Sequence, residues 1–260
     1  MPRVQRLLCW FILAASPAFA QAPAADAGQL SWVGREAAME THLRTAEIVS
    51  MEDIGTGVTQ PRRATLRPGT PFDMLAWKPL PPSRRNGHWE SYKSEIAAYQ
   101  LDRLLELHMV PPAVAREIDG VTGAAIMWID GTRSVGQMGG KIPTGPQFGK
   151  PIRRMQMFDN LIGNPDRNAG NILIDASQRV ILIDHSRAFV ESAKLPFPFE
   201  RVDASLYAKI KALTRPQLSA VLSEWLEDHA IDAMLERREE MVKRVEDLVK
   251  RRGAAAVIIP

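Results

Sequence analysis

Between residues 159 and 189 the chain reads DNLIGNPDRNAGNILIDASQRVILIDHSRAF. Three oxygen-bearing side chains in this stretch stand out by their spacing. Asp166 and Asn171 lie five residues apart in DRNAGN, and Asp184 follows thirteen residues later at the end of the apolar run VILID. NILID and RVILID have the length and β-branched content of two short strands, with Ala176-Ser177-Gln178 as the turn between them. A tight hairpin brings Asn171 and Asp184 to the same end. An amide oxygen beside a carboxylate suits a hard divalent cation, Mg²⁺ or Mn²⁺, which takes few protein ligands and completes its shell with phosphate oxygens. Asp166, on the loop just before, would face the same cleft and accept a proton from an attacking hydroxyl, or orient it. Arg167 and Arg187 flank the site; each either contacts a transferred phosphate or braces a neighbouring carboxylate or carbonyl. The competing reading is an Asx-rich turn whose side chains only cap backbone groups.

The rest of the sequence divides into two halves around these residues. GREAAMETHLRTAE reads as a helix and AEIVSM as a strand. MEDIGTGVTQPRRATLRPG places Gly55 and Gly57 between two β-like segments, as in a glycine-bearing hairpin. FDMLAWKPL is a short apolar strand ending at Lys78, stopped by Pro79, Pro81 and Pro82. PSRRNGHWESYK reads as a polar loop. SYKSEIAAYQLDRLLEL is a helix by its apolar spacing, with Glu95 in the first turn, where an acidic residue is favoured. HMVPPAVAREIDGVTGAAIMWIDG gives strand, turn, strand. Residues 132–150, rich in Gly, Lys and Pro, read as an exposed loop, and PIRRMQMFDNLIG as a helix leading into the opening stretch. From about Val202 the pattern is helical: ASLYAKIKAL, then TRPQLSAVLSEWLEDH with Thr214 as cap and Pro216 near the first turn. AIDAMLERREEMVKRVEDLVKRRG follows, with RREEMVKRVEDLVKRR as a salt-bridged solvated face.

The segments AWKPL, RRNGHWESYKSEIAAYQLDRLL, MVPPAV, MWIDG, LIGNPDRNAGNILID and LIDHSRAF resemble the atypical kinase group. That group includes the phosphatidylinositol 3- and 4-kinases, the HipA-like kinases and the secretory-pathway casein kinases, and the resemblance is to a bacterial branch of it. It spans about residues 45 to 250 and is sharpest over 76–112 and 158–189. The Asp-x-x-x-x-Asn spacing followed by Asp on the next strand is the catalytic-loop and metal-binding arrangement of protein-kinase-like phosphotransferases. The resemblance implies ATP with Mg²⁺ or Mn²⁺ as cofactors. Lys78, paired with Glu95, would hold nucleotide phosphates. Gly55 and Gly57 would let the backbone approach them, though a plain hairpin turn explains these glycines as well. Backbone groups of Trp128 and Ile129 in MWIDG would lie near adenine. Asp166 would be the catalytic acid/base, and Asn171 and Asp184 the metal ligands. Two departures are visible. Asn168 stands where the lipid kinases carry His, and Asp184-His185-Ser186 replaces Asp-Phe-Gly.

The implied fold is α+β and two-lobed, protein-kinase-like, with a small β-rich N-lobe (45–131) and a mostly helical C-lobe (132–260). Residues 1–20 read as a secretory signal peptide: Arg3 and Arg6, an apolar run, then Ala18-Phe19-Ala20. A tail and helix fill 21–44. The expectation is an exported protein, periplasmic or secreted. Cleavage removes Cys9, the single cysteine, so no disulfide or thiol chemistry is expected. It also removes two arginines and leaves a net charge of about +1, which gives no ground for a nucleic-acid partner. No later apolar run reaches the roughly 20 residues of a membrane span. The five histidines are scattered, without zinc-ligand spacing, and there is no Gly-x-Ser-x-Gly nucleophile element. His88, Trp89, Tyr92 and Lys93 either offer cationic and aromatic contacts to an acidic ligand or pack as an aromatic-anchored loop. Phosphoryl transfer from ATP to a hydroxyl on a protein, sugar or lipid headgroup is the leading expectation. A non-catalytic nucleotide-binding pseudokinase and an AMP transferase on the same scaffold are the alternatives.

Overall fold

The structure is a computed structural model that describes residues 31–55, 61–69, 71–85 and 87–260. The proposed signal peptide and Gly57 lie outside the described residues. Helix α1 (Glu36–Thr45) buries Met39 and Leu43. Strands β1 (Ile48–Asp53), β2 (Arg62–Leu66) and β3 (Met74–Lys78) follow. A small hairpin of β4 (Ser83–Arg85) and β5 (His88–Glu90) leads into helix α2 (Tyr92–Leu105). Strands β6 (Ala113–Ile118) and β7 (Val121–Met127) complete an antiparallel five-stranded sheet of order β1-β2-β3-β7-β6.

Side-chain alternation splits this sheet between two cores. Ala125 and Met127 of β7, Val114 of β6 and Leu75 and Trp77 of β3 join Trp32, Met39 and Leu43 in one apolar cluster under α1. Ala124 and Ile126 of β7 and Ala113 and Ala115 of β6 face the other way, into the larger cluster that α2 shares with the C-terminal half. Lys78 has the parity of Ala76, so β3 turns it away from α1 and toward the interior between the two halves.

The C-terminal half begins with β8 (Arg133–Ser134) and the long helix α3 (Pro146–Ile162). Helix α3 ends at Gly163, where φ is 61°. A Cβ there would lie 2.8 Å from the Arg237 guanidinium carbon, so glycine answers both the left-handed backbone and the close approach. Strands β9 (Ile172–Ile174) and β10 (Val180–Leu182) pair as an antiparallel hairpin, with β8 on its edge. Strand β11 (Val202–Asp203) precedes α4 (Ala204–Ala212), α5 (Arg215–Leu222) and α6 (Asp228–Arg252). A short α7 (Ala254–Val257) ends in β12 (Ile258–Ile259), parallel to β11. Thr214 caps α5 in a reciprocal box with Gln217. Among the described residues no helix is long and apolar enough to cross a membrane.

Four sequence expectations are corrected. PSRRNGHWESYK is no plain loop: it holds the β4–β5 hairpin and the start of α2. The hairpin is charged on both faces and turns at Gly87 (φ 79°), so it lacks the apolar alternation that marks a strand. Segment 132–150 contains β8 and the first turn of α3, which Pro146 opens. Helix α5 stops at Leu222 instead of running on to His229. Arg237, within the supposedly solvated face of α6, is fully buried. It donates to the carbonyls of Leu161 (2.9 Å), Val190 (2.8 Å) and Ser192 (2.6 Å) and so ties α6 to the end of α3.

Candidate active site

The end of β3 and the first turn of α2 bring Lys78 and Glu95 together in the interior. Lys78 Nζ lies 2.6 Å from Glu95 Oε1 and 2.8 Å from Asp184 Oδ1. The other Glu95 oxygen accepts the backbone N–H of His185 at 2.9 Å. One glutamate thus fixes both the lysine and the backbone just after Asp184. Ser91 caps α2 by accepting from the Lys93 N–H (3.0 Å), and its own N–H donates to the Ser186 carbonyl (2.9 Å). Helix α2 is therefore tied at its start to the 184–186 turn. Asp184 takes a left-handed φ of 59°, a conformation Asp tolerates better than most residues.

Burial alone would push the Lys78 ammonium down. The carboxylates of Asp184 and Glu95 overrule it and hold the group above its ordinary value. Burial would likewise raise the Asp184 carboxyl, but the Lys78 charge and the Ser186 hydroxyl (2.9 Å) hold it well below the usual carboxylate range. Glu95 is lowered against its own burial by Lys78 and by a hydrogen bond from His185. His185 is packed edge-on against Phe158, and burial pushes its imidazole down despite the pull of Glu95. The site at neutral pH thus holds one ammonium between two carboxylates, beside a neutral imidazole.

The loop from 164 to 171 is wound tightly by its own amides. Asn164 Oδ1 accepts the Asp166 N–H (3.1 Å), and Asn171 Nδ2 donates to the Asp166 carbonyl (3.0 Å). Asn168 Oδ1 accepts from the Gly170 N–H (2.8 Å), which nucleates the 3-10 turn Ala169–Asn171. The Arg167 side chain is buried against Asp159, with contacts of 2.9 and 3.0 Å. Its Nη1 donates to the carbonyls of Asn171 (2.7 Å) and Ile183 (2.6 Å). Arg167 is accordingly a brace across the open end of the β9–β10 hairpin, where Asn171 and Asp184 emerge. Arg187 donates to Glu90 Oε1 from Nε (2.9 Å) and Nη2 (2.8 Å), and its Nη1 lies 3.4 Å from Asp166 Oδ2.

These residues surround a cavity of about 620 Å³ between the five-stranded sheet and the helical half. Lys78, Glu95, Asp166, Asn171 and Asp184 all line it, as do Trp128 and Ile129 at the end of β7. Arg63 lies over the Trp128 ring at 5.4 Å. Gly55, at φ 70°, is exposed at the β1–β2 turn, and its neighbour Ile54 lines the cavity. Sequence reasoning missed Glu90. It is buried, it carries Arg187, and its second oxygen has no hydrogen-bond partner among the described residues. Its position just before the Ser91 cap was the available signal, hidden when the hairpin was read as a loop.

No cluster of three His, Cys, Asp or Glu side chains suited to a metal occurs among the described residues. Asn171 donates its amide nitrogen to the Asp166 carbonyl, and Asn171 and Asp184 both line the cleft. An amide oxygen and one carboxylate fit a Mg²⁺-type ion that takes its remaining ligands from phosphate and water.

Residues 144–248 match the family model for phosphatidylinositol 3- and 4-kinase. That span runs from the approach to α3 into α6, and it includes Asp166, Asn171 and Asp184 but not Lys78 or Glu95. No curated protein matches the chain by sequence. Solved structures match across most of it. A hydra Fam20 structure with sugar superposes with a TM-score of 0.65 at 19% identity, covering 85% of this chain and 90% of that one. A Golgi casein kinase with Mn and ADP bound gives 0.64 at 16%, covering 86% and 78%. A Helicobacter pylori proinflammatory kinase, CtkA, gives 0.51 at 12%, covering 84% and 99%. The chain has the two-part fold of the atypical kinase-like group that its sequence resembles.

Proposed function

We propose that the protein is an exported phosphotransferase that moves the γ-phosphoryl group of ATP to a hydroxyl acceptor. The observation that carries this reading is the buried Lys78–Glu95–Asp184 set at one wall of a cavity that Asp166 and Asn171 also line. A lysine held between two carboxylates costs desolvation on all three charges. Such an arrangement suits a site that places one fixed positive charge against phosphate oxygens. The family match over 144–248 and the Mn and ADP found in the Golgi casein kinase structure support it.

In this reading Lys78 grips the nucleotide phosphates and Glu95 keeps it in place. The Trp128 N–H is already bound to the Met74 carbonyl (3.2 Å), so the Trp128 carbonyl and the Ile129 N–H are the backbone groups left to meet adenine. Asn171 and Asp184 would hold Mg²⁺ or Mn²⁺, whose charge would offset that of the phosphates. Asp166 receives the acceptor hydroxyl proton as its oxygen bonds to the γ-phosphorus. The bond to the β–γ bridging oxygen breaks, and the electron pair leaves with ADP. Arg187, beside Asp166, keeps that carboxylate oriented.

The test is mass spectrometry of the protein and candidate acceptors after incubation with ATP and Mn²⁺. Phosphoryl transfer adds about 80 Da and AMP transfer about 329 Da. Asp166→Asn is expected to reduce transfer by roughly 10²–10⁴-fold while ATP still binds. An AMP adduct, or full activity in Asp166→Asn, contradicts the reading.

A further inference from the structure

We propose that a second cavity, beside the cleft, binds the acceptor, and that the acceptor is a small hydroxyl compound bearing a phosphate or carboxylate group. This rests on the phosphoryl-transfer reading and goes further by assigning the acceptor's place and class.

The cavity holds about 440 Å³. That volume lies within the roughly 300–1,000 Å³ of small-molecule sites. It adjoins the nucleotide cleft through Arg187, which lines both, and Pro165, the residue before Asp166, forms part of its wall. Arg187 Nη1 stands 3.4 Å from Asp166 Oδ2, so the partition between the cavities is the side chain that touches the proposed base. Lys78 lines the nucleotide cleft and not the second cavity, so a hydroxyl entering past Arg187 would reach Asp166 from the cavity that lacks the lysine. In-line displacement needs the nucleophile and the leaving group on opposite faces of the phosphorus.

The wall chemistry selects an anion. Arg84 of β4 and Lys93 of α2 line the cavity, and neither has a carboxylate partner among the described residues. Arg187 is paired with Glu90, and Glu191, which lines the cavity with His229 3.5 Å away, is a carboxylate on the wall. Glu227 lies across the cavity at the start of α6. The cations without carboxylate partners therefore come from the hairpin and the first turn of α2, and an anionic group of the acceptor would lie against them, away from Glu191 and Glu227. Trp89, 37% exposed, and Trp225 add flat apolar faces for the carbon frame of a polyol. The β4–β5 hairpin thus gains a role beyond carrying Glu90: it presents Arg84 and Trp89 to this space.

The experiment is calorimetric titration of the full chain with gluconate, glycerol phosphate and the neutral polyol sorbitol, with and without a non-hydrolysable ATP analogue and Mn²⁺. The anions are expected to bind in both conditions, and sorbitol at least roughly tenfold more weakly. Arg84→Ala/Lys93→Ala should weaken the anions by roughly tenfold or more and leave nucleotide affinity unchanged. Loss of anion binding when the analogue saturates the cleft overturns the proposal, as does indifference to the double variant. Equal affinity for sorbitol, or tighter binding of an acidic serine peptide than of either anion, also overturns it. If the anions fail while the nucleotide binds, the acceptor assignment alone falls. If the nucleotide fails too, the phosphoryl-transfer reading falls with it.

Discussion

Lys78 carries the most information of any single residue. It is buried, it contacts two carboxylates, and among the described residues neither carboxylate has another cation as close. Lys78→Met removes the counter-charge of both. Breaking a buried ion pair by deleting one partner costs about 3–5 kcal/mol. We expect urea denaturation of that variant to show a loss of that order, together with transfer activity reduced by roughly 10²-fold or more. A variant as stable as the parent would mean that Glu95 and Asp184 do not depend on the lysine charge. The pairing was legible because each residue falls at a meaningful point of its own element: a lysine at the stop of an apolar strand, and a glutamate one turn into a helix. Glu90 and Arg187 were harder to read. They are 97 residues apart in sequence, and nothing local to either announces the contact. Arg237 could have been found. It falls on the spacing of Met234, Met241, Val245 and Leu248, the buried face of α6, and charge composition masked that periodicity.

At the scale of elements, two joints set the site. The first is the pairing of β3 with β7. A Cβ on Gly123 would lie 2.6 Å from the Lys78 carbonyl oxygen and 2.9 Å from Pro79 Cα, both backbone atoms that cannot step aside cheaply. Gly123→Ala should therefore push the end of β3 away, weakening ATP binding and lowering the melting temperature, although no side chain of the cleft is changed. Unaltered ATP affinity would count against β7 as the support of Lys78. The second joint is the turn after α2. Asp102, fully buried, accepts the backbone N–H groups of His108 (3.1 Å), Met109 (2.9 Å) and Val110 (3.0 Å). Val110 lines the cleft, and the Met109 carbonyl accepts from Leu182 of β10.

Burial pushes the Asp102 carboxyl up to about 7, against the lowering effect of the three N–H donors. The folded chain then binds a proton that the unfolded chain, with an ordinary carboxyl near 4, has already released. Stability contributed by this group is present below pH 4 and is lost as pH rises to about 7. His185, lowered by burial, acts in the opposite direction over this range, so the Asp102 contribution is read as a difference: between about pH 5 and pH 7.5 the denaturation midpoint of the parent should fall relative to that of Asp102→Asn. A parent slope unchanged in the variant would place the titration elsewhere.

Across the whole molecule, the order of elements was readable because strand and helix periods alternate cleanly from β1 through α2 to β7, and again in α4 to α6. The sheet's double-sided packing was not. Ala124, Ala125 and Ile126 form a continuous apolar run, and only the structure assigns alternate residues to the α1 cluster and the α2 cluster. The short β4–β5 hairpin escaped for the opposite reason, since it has too little apolar patterning. The cavity between the sheet and the helical half is where both sets of residues converge, and no one segment of sequence contains it.

The central claim is that this cavity binds ATP with a divalent ion through Asp184. Melting temperature in the presence of ATP and Mn²⁺ tests it directly, because a ligand that binds only the folded state must raise it. At a hundredfold excess over Kd, the melting temperature should rise by roughly 5 °C or more for the parent and for Asp166→Asn, and little or not at all for Asp184→Asn. No rise in the parent, or an equal rise in Asp184→Asn, would contradict it.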